Sequence, residues 1–187
     1  MTSTPAARRA QRTAALLDLA QLGYAQWFFG NVYEAVVKVP DRLSAELPDS
    51  PRGADGRIRS ILGPGSPVRY YLPAPPIALA GTLGAVINGM ENPRSQRWLT
   101  VSAGCWVAGA ALTGYVVRKV NLKLFFGAEA PPPADRDALL RTWYRLNVLR
   151  AAAVGGAMLA TQCAKRAQAL SHSRVTYPHR TGRLSRP

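Results

Sequence analysis

Two runs of twenty residues without a single charge constrain this chain more than any other feature: residues 70–89 (YYLPAPPIALAGTLGAVING) and 98–117 (WLTVSAGCWVAGAALTGYVV). Twenty helical residues rise about 30 Å, the thickness of a bilayer's hydrocarbon core. Core helices of soluble proteins seldom go so long uncharged. A third run, residues 151–164, reaches that length when Asn147 and Arg150 are included, and a fourth, from Ala14 to Val37, is interrupted by Asp18, Gln21, Gln26, Asn31 and Glu34. Four transmembrane helices are expected. The fold class is all-α: an integral membrane four-helix bundle, antiparallel and up-down, with two longer loops on one side.

Charge allows only a few partner classes. The chain has 24 Lys and Arg against 10 Asp and Glu, a net charge of +14, yet is 48% hydrophobic. Such a balance fits a membrane or a nucleic acid. The basic residues flank apolar runs and no helix-turn-helix or zinc-finger frame holds them, which excludes nucleic acid and points to the lipid bilayer. The tail from Lys165 (KRAQALSHSRVTYPHRTGRLSRP) is expected to rest on anionic lipid.

The expected organisation is a basic disordered arm over 1–13, a transmembrane domain over 14–165 with helices at about 14–39, 69–90, 97–121 and 139–165, and a basic disordered tail over 166–187. The polar leader lacks a cleavage site, so the first helix is expected to stay. The short connection ENPRSQR makes the second and third helices antiparallel neighbours. Pro73, Pro75 and Pro76 sit in the first turns of the second helix, where protein or water must replace lost backbone hydrogen bonds. Gly81/Ala85, Gly104/Ala108, Ala152/Gly156 and Ala153/Ala157 are small pairs at the spacing that lets membrane helices approach. Cys105 and Cys163 lie mid-helix without a CxxC spacing and read as packing residues. The basic arm and tail favour both termini on the cytoplasmic side of a cell membrane. A homo-oligomer is open.

Polar residues concentrate at one end. Tyr24, Trp27, Asn31, Glu34 and Lys38 follow one another at steps of three and four, so they share a helix face near the end of the first helix. Alternating topology brings the same membrane side Arg118 and Asn121 from the third helix, Trp143, Asn147 and Arg150 from the fourth, and Tyr70 and Tyr71 from the second. Ala, Gly, Leu and Val are expected to line the opposite half. Lys and Arg at helix ends can snorkel to the interface, and Trp27, Trp98 and Trp143 can form an aromatic belt. Glu34, Asn31 and Asn147 are too short to snorkel far, and polar groups at membrane depth tend to pair and to mark function. Glu34 is expected to pair with Arg118 or Arg150.

The segments GNVYEAVVKVP, VRKVNLKL and LLRTWYRLNVLR, above all Trp143, Asn147 and Arg150 within the last, resemble the small four-helix membrane proteins grouped with fungal anthrone oxygenases, over roughly residues 14–164. The resemblance implies a monooxygenase of polyketide biosynthesis that needs neither metal nor flavin and turns an anthrone-type carbon into a quinone carbonyl. Its partners would be a hydrophobic aromatic small molecule and O2. An anthrone methylene is acidic, so a base can make an electron-rich enolate that reacts with oxygen directly. In that chemistry Glu34 would be the base, Arg150 and Arg118 would stabilise the enolate oxygen, and Asn31 and Asn147 would orient it. Trp27, Tyr70, Tyr71, Asn121 and Trp143 would contact the rings. His172 and His179 both fall in the tail, so the bundle has no histidine base, and no residue set has metal-ligand spacing. The alternative is a non-catalytic membrane subunit or small-molecule carrier.

Overall fold

A computed structural model describes residues 4–46, 71–125 and 131–176. The expected site residue Tyr70, most of the long loop over 41–68 and the last part of the basic tail lie outside these residues. All the regular structure described is helical. α1 spans Pro5–Val36, α2 Val39–Glu46, α3 Ala74–Gly89 and α4 Pro93–Val116; a π-helical turn, Val117–Asn121, continues α4 into the short α5, Leu122–Leu124, and α6 spans Pro133–Thr176.

Helix starts follow local chemistry. Thr4 Oγ1 accepts from the Ala7 amide and Pro5 occupies the first turn, so α1 begins nine residues before the expected Ala14 and absorbs most of the arm expected to be disordered. Asn92 Oδ1 accepts from the Arg94 amide ahead of Pro93, which starts α4 in the same way. α6 starts at Pro133 rather than Leu139 and continues to Thr176, so the basic tail is helical through its first eleven residues. The first residues of the expected loop after Pro40 form α2 instead. α3 is shorter than expected, because Leu72 and Pro73 form a turn before its first regular residue.

The four long helices form an up-down ring in which α1 packs on α3 and α6, and α4 packs on the same two helices. α1 and α3 approach backbone to backbone. A Cβ on Gly23 would lie 2.5 Å from the Ala78 nitrogen, and one on Gly81 would overlap the Ala20 backbone. The expected small pairs divide: Gly81, Ala85 and Ala157 are at contacts and Gly156 packs on Cys105, whereas Gly104 and Ala108 face outward with nothing near Gly104. Trp106 Nε1 donates to the Pro75 carbonyl at 3.2 Å, so α4 supplies a protein hydrogen bond to the proline-rich start of α3.

Small and hydroxyl-bearing residues pack between Leu17, Trp27, Leu99 and Trp143 in the interior, while many other large apolar side chains point out. Ala20, Ala74, Ala78, Ala85, Ala157, Ala160 and Ala164 are buried, and each long helix adds one buried hydroxyl at mid-bundle. Tyr24 Oη and Thr82 Oγ1 are 2.8 Å apart, Ser102 Oγ lies 3.3 Å from Tyr24 Oη and 3.0 Å from Thr161 Oγ1, and Thr161 donates to the Ala157 carbonyl at 2.8 Å. Outside, Phe29 is 62% exposed, Ile87 80%, Val148 66% and Leu159 65%. Among the described residues one helix, Pro93–Leu124 taken through the π turn, is long and apolar enough to cross a membrane, and only 17% of its most apolar stretch is buried. α3 is apolar over 16 residues, about 24 Å, short of a full span on its own.

Candidate functional site

The polar end of the bundle is where α1 and α4 finish and α3 and α6 begin. There α1 supplies Asn31 and Glu34, and α6 supplies Asn147 and Arg150. Asn31 is 4% exposed, Asn147 3% and Arg150 6%. Their spacing fixes the faces: Trp27 to Asn31 and Trp143 to Asn147 are steps of four, Asn31 to Glu34 and Asn147 to Arg150 steps of three, so each helix turns both polar residues toward the other.

Glu34 pairs with Arg150: Nη2 donates to Glu34 Oε2 at 3.4 Å. The same Nη2 donates to Asn147 Oδ1 at 2.6 Å, and Asn147 Nδ2 donates to the Asn31 backbone carbonyl at 2.9 Å. The shorter bond holds the guanidinium on its own helix and leaves the contact to Glu34 long for a charge-assisted bond. Trp143 backs the guanidinium, its ring centroid 5.9 Å from the Arg150 Cζ. Among the described residues four buried polar atoms have no partner within the protein; Gln21 Oε1 lies lower on α1, and the other three, Asn31 Nδ2, Arg150 Nε and Asn121 Oδ1, belong to this end. Buried polar atoms are nearly always bonded, so two donors and an acceptor left over at one end mark a place where a ligand or water completes the network.

Other expected members are placed differently. Arg118 stands exposed on the π turn and does not join Glu34. The wider turn over Val117–Asn121 puts Val120 into the core beside Val116 and Trp143, and such turns recur at functional sites. Trp27 is a core residue, packed with Tyr24, Ala74, Ala78 and Val154. Trp143 is likewise buried, in the cluster with Val116 and Val120. Tyr71 is half-buried, its ring lying over Gly30 so closely that any Cβ there would overlap it. Lys38 has left the stripe: α1 ends at Val36 and Lys38 adopts φ 52°, which turns the chain into α2.

α2 is a part of this end that the sequence did not announce. The Tyr144 hydroxyl donates to the Asp41 carboxylate and Arg136 Nε donates to Ser44 Oγ at 3.1 Å, so α2 is tied twice to the start of α6. The opposite end, expected to be lined only by Ala, Gly, Leu and Val, instead holds two open clefts with Arg9, Thr13, Asn88, Glu91, Asn92 and Gln168 among their walls. Among the described residues no three His, Cys, Asp or Glu side chains converge as a metal site would require.

Comparison with protein-family models, with curated proteins and with solved structures gives no match to this chain.

Proposed function

We propose that this is a multi-pass membrane protein that oxygenates a hydrophobic aromatic, anthrone-type substrate with O2, without metal or flavin, at the Glu34–Arg150 end of the bundle. The membrane reading is supported by the many large apolar side chains on its exterior, with which soluble monomers rarely surround themselves. It is supported too by charge-free belts at matching heights. Residues 19–36 of α1 hold no charge but Glu34, residues 146–164 of α6 none but Arg150, and residues 70–90 and 98–117 none at all. Both exceptions point inward and pair with each other.

The catalytic reading rests on one observation: Asn31 Nδ2 and Arg150 Nε are buried, unpartnered donors beside a carboxylate. A neutral anthrone brings the oxygen that would accept from both. Glu34 takes a proton from the methylene flanked by the two aryl rings, and the donors stabilise the charge that grows on the oxygen. The enolate carbon then adds O2, Glu34 returns the proton to the peroxide, and loss of water leaves a carbonyl, one oxygen atom in the product and one in water. Tyr71 is the aromatic ring left at the mouth for stacking.

A second reading, a non-catalytic membrane subunit or carrier, draws on the burial of Trp27 and Trp143 in the core, which removes two of the rings expected to meet a substrate. Isotope labelling separates the two. Purified full-length protein in detergent, supplied with a hydroxyanthrone and 18O2 in the presence of a chelator, is expected to form anthraquinone carrying one 18O at the new carbonyl faster than buffer does. Binding of the anthrone with no acceleration over buffer establishes the carrier reading instead.

A further inference from the structure

The end of the bundle opposite Glu34 carries a second site. Two clefts of ≈ 350 and ≈ 390 Å³ adjoin there and share Pro5, Arg9 and Asn88. The smaller is walled by Arg8, Arg9 and Arg12 of α1 and by Asn88 of α3. Arg8 and Arg12 lie one helical turn apart, and neither forms an ion pair among the described residues. Arg9 is different, because its guanidinium is held by Glu91. Asn88 Nδ2 is committed to the Gly84 carbonyl at 2.7 Å, which fixes the amide at the wall of the cleft. Two unpaired guanidinium groups beside one open cleft are a receptor for a phosphate group.

What is attached to the phosphate follows from the next turn of α3. Leu83 is 48% exposed and Ile87, adjoining Asn88, is 80% exposed. Both lie on α3 within five residues of the lining residue Asn88 and open to the outside, so a phosphate seated between Arg8 and Arg12 has an uncovered hydrocarbon surface on the neighbouring helix. We propose that this cleft binds the headgroup phosphate of an anionic phospholipid, with its acyl chains along Leu83 and Ile87. Arg9 and Glu91 bound the site on one side, and Glu91 weakens it by occupying the third arginine.

Three ligands titrated into the full chain in detergent, with thermal shift as readout, test the assignment: dihexanoyl phosphatidylglycerol, dihexanoyl phosphatidylcholine and inorganic phosphate. Phosphatidylglycerol is expected to bind saturably and more tightly than the other two. Arg8→Gln/Arg12→Gln is expected to weaken it about 30-fold, at the usual worth of a surface cation near anionic lipid. Glu91→Gln, which releases Arg9, is expected to tighten it about fivefold, a gain that a merely structural role would not produce. Arg180→Gln/Arg183→Gln/Arg186→Gln in the tail is expected to change it less than twofold. Equal binding of phosphatidylglycerol by wild type and the Arg8/Arg12 variant overturns the site. Inorganic phosphate binding as tightly as the lipid overturns the lipid as its source, and equal binding of phosphatidylcholine overturns recognition of the anionic headgroup.

Discussion

Arg150 is shared between Asn147, 2.6 Å away on its own helix, and Glu34, 3.4 Å away across the bundle. Removing the cation therefore leaves a buried carboxylate with no counter-charge, whereas removing both charges leaves an apolar contact. Arg150→Leu is expected to cost about 3–5 kcal/mol, and Glu34→Leu/Arg150→Leu markedly less. Denaturant titration of the purified variants in detergent measures both, and a double variant as unstable as Arg150→Leu alone would contradict the pairing.

The α1–α3 contact has no room for a methyl group at Gly81, while nothing lies within 4 Å of a Cβ at Gly104. Gly81→Ala is expected to destabilise the bundle by about 2 kcal/mol or more, because backbone must move. Gly104→Ala is expected to be neutral or to stabilise by about 0.5–1 kcal/mol, as the helix gains propensity. The same unfolding titration compares the two.

That contrast shows how much was legible in the sequence. Charge-free runs and a short ENPRSQR turn were enough to give helices in up-down order, and order alone brought Asn31, Glu34, Asn147 and Arg150 together. Which side of a helix faces inward was not legible where every residue is apolar: Gly81 and Gly104 sit in similar small-residue patterns and only packing separates them. Arg118 was misplaced because its i, i+3 spacing to Asn121 assumes an α-helical turn, and the π turn leaves no sequence mark. Ser102, Thr82 and Thr161 read as ordinary small residues of apolar helices, and only their convergence on Tyr24 makes them a network. The early start of α1 did have a signal, the Thr4-Pro5 dipeptide, hidden by the basic composition around it.

The Tyr24 network links all four long helices, so its deletion should be felt by more than one pair. Tyr24→Phe is expected to cost about 1–2 kcal/mol, since Thr82 and Ser102 both lose a buried partner. In a cycle with Thr82→Val the coupling is expected at about 0.6 kcal/mol, the usual size for interhelical bonds in membranes. Additive effects would show that the two hydroxyls are not bonded.

At the α1–α2 junction Lys38 holds φ 52° at a position where glycine is free of steric cost. Lys38→Gly is expected to raise stability by up to about 1 kcal/mol, read as a higher Tm.

Catalysis at Glu34 is tested most directly by the initial rate of hydroxyanthrone oxidation by wild type and Glu34→Gln, each purified in detergent and compared with buffer. The glutamine variant keeps the size of the side chain and one oxygen that can accept from Arg150, but cannot accept the methylene proton. Wild type is expected to exceed buffer clearly, and Glu34→Gln to fall at least about 100-fold below wild type while binding the anthraquinone product with similar affinity. Equal rates for the two proteins would contradict the assignment of Glu34 as the base.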